Sequence, residues 1–129
     1  MPSEEWLIEY TDEFGAWWEA LAESEQISVA AHVRKLEQYG PGLPFLYSSG
    51  IAGSRHPHMR ELRVQAGGRP LRILYAFDPR RAAILLIGGD KTGDKRFYDR
   101  MIPMADALYD VHLAELAKEK DDDRQAFVR

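Results

Sequence analysis

The chain has 129 residues, 17 Lys or Arg against 21 Asp or Glu, a net charge of −4 and no cysteine. That length suits one domain with a core of its own, and the missing thiols exclude disulfides and thiolate metal sites. No window approaches eighteen consecutive apolar residues, and Met1-Pro2-Ser3-Glu4-Glu5 does not lead from a basic region into an apolar run. The expectation is a cytoplasmic protein without a membrane partner.

The modest net charge hides an asymmetry. Residues 1–25 hold eight acidic side chains and no Lys or Arg, whereas residues 54–100 hold eleven Lys or Arg against five Asp or Glu, a local net of +6. A basic segment on an acidic body can draw a polyanion to one face.

In chain order, Trp6-Leu7-Ile8-Glu9-Tyr10 is aromatic and β-branched and predicts a first strand. Thr11 then caps a helix over 12–22, with Asp12 and Glu13 in its first turn and Phe14, Trp17, Trp18 and Leu21 as its apolar face. Tryptophans at this spacing serve a core. A second helix over 25–39 begins near Ser24, and Gly40-Pro41 stops it. The Gly-, Pro- and Ser-rich stretch from Gly40 to Pro57 predicts a loop, with a short edge strand between Tyr47 and Ile51.

Residues 60–77 read as a hairpin. Leu62, Val64 and Ala66 alternate with Glu61, Arg63 and Gln65, the period of a strand buried on one face. Gly67-Gly68 suits a two-residue turn that needs positive φ. That turn pairs Ala66 with Arg69, Val64 with Leu71 and Arg63 with Arg72. Two like charges directly opposite are destabilising by roughly 0.2–1 kcal/mol, and a bound anion such as phosphate is the natural compensation. With Arg72 at the start of its strand, its head group is expected near the surface.

Asp78-Pro79-Arg80-Arg81 predicts a second turn. If Asp78 faces Arg81, then Tyr75 meets Ile84 and Arg72 meets Ile87. The apolar run Ala82 to Ile87 predicts a central strand covered on both faces. Gly88-Gly89-Asp90-Lys91-Thr92-Gly93 does not have the Walker spacing and reads as a flexible, lysine-bearing turn. Met101, Ala105, Leu108, His112 and Leu116 form a helix over 103–117 with Pro103 in its first turn, and His112 reads as a packed helix residue. Residues 118–129 are charged and apolar-poor and predict a disordered tail beyond a domain of residues 1–117. His56 and His58 have no evident third ligand, so no metal is expected.

The run Met59-Arg60-Glu61-Leu62-Arg63, the strand from Arg72 to Asp78, then Ile84-Leu85-Leu86, Gly89-Asp90-Lys91-Thr92 and Ile102-Pro103-Met104-Ala105 resemble the RelE/ParE superfamily of toxins, in its HigB-like, phage-related branch. The similarity covers about residues 4–116. It implies an α+β, RelE-like domain: a mainly antiparallel sheet of four or five strands packed against two N-terminal helices and one C-terminal helix. It further implies a cofactor-free endoribonuclease that cleaves messenger RNA, typically on the ribosome, and is inhibited by a helix-turn-helix antitoxin. Carried over by position, the resemblance gives Arg63, Arg72, Lys91 and Tyr98 as catalytic candidates. Arg55, His58, Arg60, Arg69, Lys95 and Arg96 are the RNA-binding candidates. Arginines suit the charge of a phosphorane, and a base or acid follows if neighbouring cations lower the pKa of Lys91, Tyr98 or a loop histidine. A toxin of the same fold with another target, such as DNA gyrase, and a non-catalytic basic binding module are the alternative readings.

Overall fold

The computed structural model describes residues 5–128; the readings made on Met1–Glu4 and Arg129 lie outside them. Strand β1 (Ile8–Tyr10), helices α1 (Asp12–Glu19) and α2 (Glu23–Tyr39), and a 3-10 turn (Gly40–Gly42) come first. Strands β2 (Ser48–Gly50), β3 (Arg60–Ala66), β4 (Arg69–Phe77) and β5 (Ala83–Asp90) follow, and α3 (Phe97–Val128) closes the fold. The five strands form one sheet in the order β1-β5-β4-β3-β2, with β1 parallel to β5 and every other pair antiparallel. The α+β expectation, a mainly antiparallel sheet with three helices, holds.

The period-two pattern sorts side chains onto the two faces. On one face Leu62, Val64, Leu71, Ile73, Tyr75 and Leu85 pack with Phe14 of α1 and Val29 and Leu36 of α2. On the other Leu74, Ala76, Ile84 and Leu86 pack with Phe97, Met101, Ile102, Ala105 and Tyr109 of α3. β5 is central and covered on both sides, as its unbroken apolar run predicts.

Local signals set most boundaries. Thr11 Oγ1 accepts a hydrogen bond from the Phe14 amide at 3.0 Å and donates to the Leu86 carbonyl at 2.6 Å, which caps α1 and ties it to β5. α2 starts at Glu23, before Ser24, because the Glu25 carboxylate turns back to accept the Ala22 amide at 3.1 Å. The helix ends at Gly40, where φ is +54° and a Cβ would lie 2.4 Å from the Trp6 ring.

Gly67 and Gly68 both take positive φ, and the hairpin register is the predicted one, Arg63 opposite Arg72. The second turn differs from its reading. Arg81 adopts φ +69° and Asp78 N–H bonds to the Ala82 carbonyl, so Phe77 faces Ala83; a bulge at Leu74/Tyr75 then shifts the pairing again. Tyr75 therefore meets Leu85, and Arg72 meets Gly89 rather than Ile87.

Gly88 and Gly89 are strand residues, not part of a flexible turn. A Cβ on Gly88 would sit 2.3 Å from the Trp17 ring and one on Gly89 2.8 Å from the Phe97 ring, so an aromatic ring presses onto β5 from each face.

α3 is longer at both ends than the predicted 103–117. It starts at Phe97, and Pro103 lies inside it, where it deletes one backbone hydrogen bond. Burial of Phe97, Met101 and Ile102 outweighs that loss: about 1.5–3 kcal/mol each against roughly 3 kcal/mol for an interior proline. At its other end α3 continues through the segment read as a disordered tail. Ala, Glu, Lys, Gln and Arg favour helix, and Lys118 with Asp122 and Asp121 with Arg124 stand at helical pairing distances. Residues 117–125 are exposed, so this end of the helix buries little surface of its own.

Candidate active site

The pairing of β3, β4 and β5 lines up Arg63, Arg72 and Gly89 across the sheet on the face that α3 covers. Glu61 lies two residues before Arg63 and so shares that face. Arg72 and Glu61 are both buried, each 6% exposed, and Arg72 Nε lies 3.0 Å from Glu61 Oε1. The Nε–H does not point along that contact, so the pair is ionic rather than a directed hydrogen bond. The Nη1 group donates instead to the Leu71 carbonyl at 3.0 Å.

Tyr98, in the first turn of α3, donates its hydroxyl to the same Glu61 Oε1 at 2.8 Å. Lys91, just past the end of β5, holds its Nζ 5.2 Å from the Tyr98 ring centroid. Arg63 is half-buried and stacks its guanidinium 5.8 Å from the Phe45 ring centroid. Arg63, Arg72, Lys91 and Tyr98 are thus gathered into one row from two strands, the turn after β5 and a helix.

Three expectations are overturned here. Arg72 is buried rather than near the surface, and the Arg63–Arg72 repulsion is answered by Glu61 from within the protein. The Tyr98 hydroxyl also moves opposite to the expected direction. Burial and the Glu61 carboxylate hold its pKa above the ordinary tyrosine value, against a smaller lowering by Arg72. Tyr98 therefore keeps its proton at neutral pH.

Glu61 is the residue that sequence reading missed. Its signal was present, a carboxylate two positions from Arg63 on one face of a strand and diagonal to Arg72.

The RNA-binding candidates divide. Lys95 and Arg96 are exposed in the turn leading into α3, three and two residues before Tyr98, and neither has a carboxylate partner among the described residues. Arg69 lies outside the row, between Asp90 and Glu25 at 2.7 and 2.5 Å. Arg55 pairs with Asp110 at 2.6 Å, well along α3. Arg60 faces α2 and donates to Ser48 Oγ at 2.9 Å, and Ser48 in turn contacts the Tyr75 hydroxyl. His58 is exposed in the loop before β3, and its neighbour His56 contacts Asp110 at 2.7 Å. Among the described residues no three His, Asp or Glu side chains gather as a metal site.

A second cluster anchors α3 to the β4–β5 turn. The fully buried Asp78 carboxylate accepts from Arg80 at 2.7 Å and contacts His112 Nε2 at 2.9 Å, while Arg80 reaches Glu9 at 2.7 Å. Burial alone would raise the Asp78 pKa, but the Arg80 and His112 hydrogen bonds and the Ala82 and Arg80 amides hold it below the usual range. His112 is a packed helix residue, as predicted.

Comparison with known proteins decides the family. Residues 16–110 match the model of the phage-derived protein Gp49-like family. The chain belongs to that family. Among curated relatives it is 45% identical over 91 residues to the "putative toxin HigB3" of Mycobacterium tuberculosis, covering 70% of this chain and 78% of that protein. It is 39% identical over 111 residues to the "putative toxin HigB2" of the same organism, covering 84% of this chain. The matched segment spans 55% of that second relative's length. Among solved structures, a mutant of the E. coli toxin RelE in the free state superposes with a TM-score of 0.53 at 7% identity, covering 75% of this chain and 95% of RelE. That likeness shows the fold alone. The sequence matches thus place this Gp49-like chain among HigB-like proteins, and the structural match gives it a RelE-like fold.

Proposed function

We propose that this Gp49-like chain is the toxin of a toxin–antitoxin pair and that it cleaves messenger RNA without a metal or other cofactor. The observation that carries the reading is the row in which Arg63 and Arg72 stand opposite each other while Glu61 joins Arg72 to the protonated hydroxyl of Tyr98. The HigB names of the curated relatives support the toxin role.

In this reading the 2′-hydroxyl of the nucleotide before the cut attacks the adjacent phosphorus and gives up its proton to solvent. The 2′-oxygen–phosphorus bond forms as the bond to the 5′-oxygen breaks, leaving a 2′,3′-cyclic phosphate and a 5′-hydroxyl. Arg63 and Lys91 supply the surplus positive charge at the phosphorane, because the charge of Arg72 is balanced by Glu61. Glu61 positions Arg72, so its fork is fixed before substrate arrives, the arrangement that stabilises a developing anion most. Tyr98 gives its proton to the departing 5′-oxygen, a role that suits a phenol held in its neutral form.

Lys95 and Arg96 extend the basic surface along the RNA backbone. We further propose a helix-turn-helix antitoxin as the inhibitory partner and the translating ribosome as the setting of cleavage. Charge complementarity to the basic row would make antitoxin association fast and sensitive to salt. Expressing the chain with a reporter messenger, with and without translation, and mapping the cut ends tests this. Cuts with 5′-hydroxyl ends are the expected result, whereas growth arrest with intact messenger would point to another target, such as DNA gyrase.

A further inference from the structure

Large apolar side chains in this protein are mostly covered, and Phe14 and Phe97 lie in the two cores. Eight large hydrophobic residues among those described are exposed, and the adjacent Phe45 and Leu46 are the most exposed of them, at 71% and 77%. Their loop is held at both ends. Leu43 is buried in the core on one side, Tyr47 and Ser48 amides bond back to the Pro44 carbonyl at 2.9 and 3.0 Å, and the Arg63 amide bonds to the Tyr47 carbonyl at 2.8 Å. The Phe45 ring is therefore displayed by a tied turn.

Its position extends the row. Moving across the sheet, Gly89, Arg72 and Arg63 occupy successive strands, and the Phe45 ring comes next, 5.8 Å from the Arg63 guanidinium. Neighbouring strands are about 4.8 Å apart, so the ring stands about one strand spacing from the Arg63 guanidinium. An exposed aromatic face beside a cation suits a single-stranded nucleotide: the base stacks on the ring while its phosphate meets the guanidinium.

We propose that Phe45 is a stacking platform for an unpaired nucleobase of the RNA substrate, next to the phosphate held by Arg63. The inference rests on the RNA-cleavage reading above. Such a platform selects unpaired RNA and accepts every base, since each has a π-face. It also fixes the strand relative to Arg72 and Tyr98, so the ring is a positioning group as well as a binding one.

The test uses the purified chain and a short single-stranded RNA made uncleavable by 2′-O-methylation, with binding followed by fluorescence anisotropy. Loss of one stacked base weakens binding by about 5- to 150-fold. Phe45→Ala and Phe45→Leu should both fall in that range, while Phe45→Trp should bind as well as the parent. Scanning a single abasic nucleotide along the RNA should reveal one position whose loss weakens the parent but not Phe45→Ala. Parent-like binding by Phe45→Ala and Phe45→Leu would overturn the inference and leave the RNA reading standing. Parent-like RNA binding together with altered self-association or antitoxin binding would assign the ring to a protein contact and also overturn it. No RNA binding by the parent chain would overturn this inference, and an intact messenger in translating cells expressing the parent would reject the RNA reading as well.

Discussion

Arg72 Nε lies 3.0 Å from Glu61 Oε1, and both residues are buried beneath the start of α3. Within this pair an arginine suited to phosphate chemistry is also a structural group, so the two roles have to be separated by mutation. Arg72→Ala leaves a buried carboxylate with only the Tyr98 hydroxyl, and breaking a buried pair from one side costs about 3–5 kcal/mol. A marked drop in melting temperature is expected. Adding Glu61→Gln should recover part of that loss, and a double-mutant cycle by denaturant titration measures the coupling. Additive single changes would show that the two side chains do not interact.

Tyr98→Phe removes the proposed proton donor and one hydrogen bond to Glu61 while keeping the ring. Cleavage should fall by about 10²- to 10⁴-fold, the usual span for loss of general acid catalysis. The pH dependence has a definite sign. With the folded pKa raised above the ordinary value of about 10, the unfolded chain loses this proton first as pH rises. Stability from this group is complete below pH 10 and declines above it, and Tyr98→Phe should flatten that alkaline decline.

The Asp78 cluster gives the opposite sign. The Asp78 pKa is held below the usual carboxylate value by its hydrogen bonds, so its stabilisation is complete above about pH 4 and is lost as pH falls below that. Asp78→Asn should lower stability at neutral pH and make acid unfolding shallower. Urea titrations at pH 7 and pH 3 check both parts, and an equal change at the two pH values would contradict the assignment.

The hairpin register behind this candidate site was legible in the sequence. The Arg63–Arg72 pairing followed from the Gly67-Gly68 turn, because both glycines supply the positive φ that fixes the register. The β4–β5 register was not legible, because Arg81 adopts a left-handed conformation uncommon for a residue with a side chain, and the Leu74/Tyr75 bulge has no sequence mark. Pro103 concealed the start of α3, since a proline signals a first turn while the buried Phe97 outweighs it. Glu61 was passed over because alternation assigns it to the polar face, and only α3 lying above turns that face into an interior.

The outer half of α3 offers a simple stability test. Residues 118–125 are exposed, so deleting that segment removes little buried area of its own. Stability should change by less than about 0.5 kcal/mol while helical circular dichroism falls. A large loss of stability would show that this half-helix packs on something in solution.

The most direct measurement is cleavage of a reporter messenger RNA by the chain in a translating system, comparing the parent with Arg63→Ala and Arg63→Lys. Arg63 is half-buried and has no carboxylate partner among the described residues, so its replacement tests the charge row with little disturbance of the fold. The expected result is cleavage with 5′-hydroxyl ends by the parent and a loss of about 10²- to 10³-fold in Arg63→Ala at nearly unchanged melting temperature. Arg63→Lys should recover only part, because a point charge lacks the guanidinium fork. Parent-like cleavage by a folded Arg63→Ala protein, or an intact messenger with the parent chain under translation, would contradict a ribonuclease built on this arginine row.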